Sequence, residues 1–145
     1  MNFNNFTIKS QEAIQKAVEI TRSSGAQAIE PVHILKGVFE EGESVVKFIF
    51  QKTGANITGV MNKIDEEISA QPKVSGGEPY LSRTSNDVLQ KALDVAGKQG
   101  DEYVTLEAIL VALFDIKSSA STILKDAGLS EKELKAAIDE LRKGK

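Results

Sequence analysis

The stretch FTIKSQEAIQKAVEITRSSGAQAIEPVHILKGVF, residues 6–39, can be laid without a gap over LSRTSNDVLQKALDVAGKQGDEYVTLEAILVALF, residues 81–114. Ser10 falls on Ser85, Gln15, Lys16 and Ala17 on Gln90, Lys91 and Ala92, and Gly25 on Gly100. Ile34 and Leu35 fall on Ile109 and Leu110, and Phe39 on Phe114. Apolar character persists where identity does not: Ile14 matches Leu89, Val18 matches Leu93 and Ile29 matches Val104. After a single deletion the match continues, pairing Ile49 and Phe50 with Ile123 and Leu124, Gly54 with Gly128, and Ile64, Asp65 and Glu66 with Ile138, Asp139 and Glu140. Self-similarity at this spacing marks an internal repeat, so the chain reads as one domain of two like units packed about a pseudo-twofold axis. Repeat one covers about residues 6–68 and repeat two about 81–143. Between them, residues 69–80 hold two of the three prolines and a Gly76–Gly77 pair, the composition of a mobile linker.

Within each unit the apolar spacing is helical throughout. Residues 7–24 place Ala13, Ile14, Ala17, Val18 and Ile20 on one face, and Gly25 ends the run; residues 82–99 repeat this with Leu89, Ala92, Leu93 and Ala96 before Gly100. A second helix opens at Glu30–Pro31, where proline's missing N–H costs nothing, with Thr105–Leu106 as its counterpart. It buries Ile34, Leu35, Val38 and Phe39, or Ile109, Leu110, Leu113 and Phe114. A short third helix carries Val45, Val46, Ile49 and Phe50, or Ala120, Ile123 and Leu124. A fourth follows a glycine turn, opened by Asn56 ahead of Val60, Ile64 and Ile68, or by a capping box of Ser130 and Glu133 ahead of Leu134, Ile138 and Leu141. The expected fold is all-α: two four-helix repeats, eight helices, no sheet.

Composition excludes several classes of function. At 41% hydrophobic and 27% charged residues the chain is of globular type. Its longest apolar runs, such as residues 108–114, are far short of the ~20 residues that span a bilayer, so no membrane association is expected. The N-terminal residues lack the basic start and apolar run of a signal peptide, which makes the cytoplasm the expected address. With no cysteine there are no disulfides or thiol chemistry, and the Asn56-Ile57-Thr58 sequon reads as a helix cap rather than a glycosylation site. A net charge of −3, from 18 Lys+Arg against 21 Asp+Glu, and a basic run no longer than Arg142–Lys143 argue against nucleic acid as a partner. Aromatic content of 6% without tryptophan leaves little for base stacking.

The residues needed for catalysis are missing too. His33 is the only histidine, and its counterpart in repeat two is Ala108, so a structural role is expected. Glu40–Glu41 and Glu66–Glu67 sit on helix faces with lysines nearby, as solvated faces do. Gly97–Lys98 is followed by Gln99 and ends a helix, so it is no phosphate-binding loop. No Gly-x-Ser-x-Gly elbow occurs. The chain is therefore expected to act by surface recognition, with no catalytic residue, no metal and no cofactor.

The pattern Phe6–Thr7, then Ile29-Glu30-Pro31-Val32-His33-Ile34-Leu35, then the weaker copy Tyr103-Val104-Thr105-Leu106-Glu107-Ala108-Ile109-Leu110, resembles the N-terminal domain of Clp/Hsp100 unfoldases over essentially the whole chain. The resemblance implies a substrate-binding domain of an ATP-driven hexameric unfoldase. ATP and Mg would be bound only by separate ATPase modules, and this domain alone would be monomeric and without ATPase activity. Glu-Pro-x-His resembles the disaggregase branch, which threads unfolded or aggregated polypeptides and works with the DnaK chaperone system. The alternative is the branch serving Clp proteases, with adaptor or phosphoarginine binding, whose repeats both carry Gly-Thr-Glu-His; here Val32 replaces one glutamate and only Glu107 is kept. By position the resemblance implies roles in substrate handling for Thr7, Asp101 and Glu107, expected together on one exposed face. It also implies an apolar groove containing Lys91, Val95 and Ala108.

Overall fold

The computed structural model describes residues 2–144. Among them run α1 (Ile8–Ser23), β1 (Ala28–Ile29), α2 (Pro31–Glu41), α3 (Glu43–Thr53), α4 (Ile57–Ala70), β2 (Tyr80–Leu81), α5 (Arg83–Lys98), α6 (Leu106–Asp115), α7 (Ser119–Asp126) and α8 (Glu131–Lys143). The two repeats begin with the same cap. Thr7 Oγ1 accepts the Ser10 N–H and Ser82 Oγ accepts the Ser85 N–H, each satisfying a first-turn donor that has no partner inside the helix. Gly25 and Gly100, at φ 83° and 75°, take the left-handed conformation that lets the chain leave α1 and α5 sharply. Asn56 and Thr105 cap α4 and α6 through the Gly59 and Ala108 N–H groups. At α8 the expected capping box is half made. Ser130 accepts the Glu133 N–H, but the Glu133 carboxylate takes the Ser130 hydroxyl at 3.0 Å.

The halves interlock through hydrogen bonds made twice with the roles exchanged. In one direction the Thr7 N–H and the Ser10 hydroxyl both donate to the Val104 carbonyl, at 3.0 and 2.8 Å. In the other, the Ser82 N–H and the Ser85 hydroxyl both donate to the Ile29 carbonyl, at 3.1 and 2.6 Å. Ser10 and Ser85 are completely buried, and these bonds account for a hydroxyl at that depth in both repeats. The same junctions correct the expectation of no sheet: β1 pairs parallel with β2, and Phe6 makes a parallel bridge to Val104. Such pairings are too short to show an alternating pattern. They also pin the stretch expected to be a mobile linker, because the Val74 N–H donates to the Gly25 carbonyl and the Tyr80 N–H to the Gln27 carbonyl.

α1 packs on α2 and α5 on α6, as the repeat implies, while α2 and α6 meet at the centre. The third and fourth helices cross over: α3 packs against α8 and α4 against α7. One shared core results, containing Ile34, Leu35, Ile109, Leu110 and Leu113, all fully buried. α6 is buried at every position from Leu106 through Phe114, while Phe39, Val45 and Leu141, expected inside, are only half-buried. At Gly37 the backbones of α1 and α2 come so close that a Cβ would lie 2.3 Å from the Ala13 carbonyl oxygen.

Candidate functional site

Three helices of the second repeat enclose a cleft of about 260 Å³. α5 lines it with Lys91, Val95, Lys98 and Gln99, α6 with Val111 and Asp115, and α8 with Lys135, Ile138 and Asp139. Half-buried Val95 supplies the accessible apolar surface, Val111 and Ile138 are almost completely buried, and the charged residues stand around them. The matching position in repeat one is lined by Lys36, Phe39, Glu40, Met61, Ile64 and Asp65. There Lys36 stands where repeat two has Val111, and ion pairs join Lys36 to Asp65 at 2.9 Å, Lys36 to Glu40 at 3.9 Å and Lys16 to Glu40 at 3.7 Å. The two clefts thus differ in kind: a valine stands in the second where an ion ladder crosses the first, and Phe39 and Met61 line the first where the second has Asp115 and Lys135 nearby.

Of the three groove residues expected, Lys91 and Val95 do line this cleft. Ala108 does not: it lies in the first turn of α6 and is completely buried. The other three expected residues are brought near one another, but not onto an exposed face. Thr7 is half-buried, its hydroxyl donates to Ser10 Oγ and its N–H is bonded to Val104, which lies in sequence between Asp101 and Glu107. Asp101 is half-buried and Glu107 is only 2% exposed. Both face Arg142, in the last turn of α8. The guanidinium donates to the two Asp101 carboxylate oxygens at 2.7 Å each and lies 3.8 Å from Glu107 Oε2. The bond to Asp101 raises the Arg142 pKa above its already high value, so the arginine remains charged. The site thus has an arginine that sequence reasoning passed over as part of a small basic run. Nothing in the spacing of Asp101, Glu107 and Arg142 signals that they meet.

His33 is completely buried, and its Nδ1 accepts the Glu30 N–H at 2.9 Å, which puts the ring proton on Nε2. Burial lowers its pKa to about 4, so the ring is neutral at pH 7 and serves as the cap of α2. Among the described residues no three His, Asp or Glu side chains converge as a metal site, and no helix is long and apolar enough to cross a membrane.

The Clp repeat (R) N-terminal domain family model matches residues 5–127. The chain belongs to that family. As a Clp N-terminal domain it is similar to chaperone protein ClpB of Bacteroides thetaiotaomicron, with 63% identity over 144 residues, 99% of this chain and 17% of the relative. The chain thus spans about a sixth of the length of the curated relatives it matches. Among solved Clp N-terminal domains, that of Hsp104 from Candida albicans is 25% identical with a TM-score of 0.84, covering 96% of this chain and 92% of that one. The same fold occurs in a ClpV N-domain solved in complex with a VipB peptide, 17% identical with a TM-score of 0.72, covering 92% of this chain and 84% of that one.

Proposed function

We propose that this Clp N-terminal domain of ClpB type is the substrate-binding module of an ATP-dependent protein disaggregase, holding unfolded or aggregated polypeptide for threading by an ATPase ring. In this reading the domain performs no chemistry and is monomeric when isolated. Nucleotide and Mg are bound elsewhere in a hexameric parent that works with the DnaK chaperone system in the cytoplasm. The observation that carries the reading is the cleft between α5, α6 and α8. Its volume lies below the ~300–1,000 Å³ of small-molecule pockets, which suits one or two side chains of an extended segment better than a whole metabolite. Val95 offers contact to an apolar side chain, and the surrounding lysines and aspartates can meet the flanking backbone and charges. Modest affinity fits such a role, because a chain held too tightly would resist threading. That a ClpV N-domain holds a peptide supports polypeptide as the ligand class for this fold.

The test is fluorescence anisotropy with reduced, fluorescein-labelled α-casein. Val95→Ser removes about 1 kcal/mol of apolar contact, so affinity should fall about fivefold with the melting temperature nearly unchanged. Undiminished binding by this variant would remove the cleft from the function.

A further inference from the structure

We propose that Arg142 is the positioning residue of the cleft: clamped by Asp101 and Glu107, it holds α8 at a fixed distance and angle from α5 and α6. The inference rests on the polypeptide-binding reading above and names what shapes that site. Each wall contributes one member of the clamp. Asp101 follows the end of α5, Glu107 lies in the first turn of α6, and Arg142 lies in the last turn of α8. One guanidinium therefore joins α8 to the turn that follows α5 and to the first turn of α6, one helical turn beyond Ile138 and Asp139. Two parallel bonds of 2.7 Å to Asp101 fix the orientation of the arginine as well as its distance, which a lysine ammonium cannot do. Glu107, buried at 2% exposure, stands beside the same guanidinium and not at the mouth of the cleft. The two carboxylates thus act on a bound chain through the placement of α8, without touching it.

The absence of native cysteine allows a direct measurement of the cleft. Spin labels on Asp94→Cys and Ala136→Cys, exposed positions of α5 and α8 outside the lining of the cleft, report the separation of the two helices by pulsed dipolar spectroscopy. α-Casein anisotropy reports binding by the same proteins. In Arg142→Lys the distance distribution should broaden and casein affinity should fall about fivefold. Asp101→Asn, which keeps the size of the side chain and removes its charge, should broaden the distribution and weaken binding in the same direction. Two results would overturn the proposal: unchanged distances in Arg142→Lys, or broadened distances with unchanged casein affinity. Failure of the unmodified domain to bind casein would instead overturn the polypeptide-binding reading, while the distances would still show whether Arg142 places α8.

Discussion

Replacing Leu110 with alanine is expected to cost about 2–5 kcal/mol of stability, the range for emptying a leucine-sized volume in a packed core. Leu110 is completely buried in α6, and so is its repeat counterpart Leu35 in α2. These are the two helices that meet at the centre of the molecule, and α6 also packs against α1, α5, α7 and α8. A cavity there cannot be closed by one helix sliding inward, because the others hold it in place. The exchange of α3 and α4 between the halves makes the core common to both repeats. The loss should therefore lower the midpoint of a single urea transition rather than split it in two. A loss below about 0.5 kcal/mol, the scale of surface substitutions, would mean that the central stripe is misplaced.

Acidification from pH 7 to pH 5 should cost about 2 kcal/mol through His33 alone. Its folded pKa is about 4 against an ordinary 6.5, because burial disfavours the charged ring. Between these two values the unfolded chain binds a proton that the folded protein refuses, so stability falls as pH drops through that window, by about 1.4 kcal/mol per unit. The loss is complete below about pH 4, where both states are protonated. His33 is the only histidine, and most carboxylates titrate lower, so between pH 7 and 5.5 the slope belongs chiefly to this ring. His33→Gln should be less stable at pH 7, having lost the bond from the Glu30 N–H, yet nearly flat across the window. Equal slopes in the two proteins would show that His33 is not the responsible group.

The repeat made the helices legible: Ile34 and Leu35 against Ile109 and Leu110 gave the register, and Thr7, Gly25, Asn56 and Gly100 gave the ends. Ser10 and Ser85 were visible only as an identity. Their reason is a carbonyl of the opposite repeat, and no local pattern announces a bond between residues 94 or 56 positions apart. The crossing of α3 onto α8 and α4 onto α7 was hidden for a related cause, since the inward faces of both pairs are equally apolar and either partner satisfies them. At the site, Lys91 and Val95 could be placed by alignment because α5 exposes one face to the cleft. Ala108 and Glu107 could not, because α6 is buried from Leu106 through Phe114 and no sequence pattern shows that its first turn is covered. Glu107 is tolerated there because Arg142 arrives from a helix that begins more than twenty residues later. Only the packing of α8 reveals that neighbour.

The most direct test of the account is an NMR titration of the ¹⁵N-labelled domain with reduced α-casein, following the backbone amides. Polypeptide binding in the cleft predicts concentration-dependent shifts concentrated at Lys91, Val95, Lys98, Val111, Ile138 and Asp139, with α3 and α4 little affected. Shifts concentrated instead around Phe39 and Met61 in the first repeat, or none with casein in large excess, would contradict it.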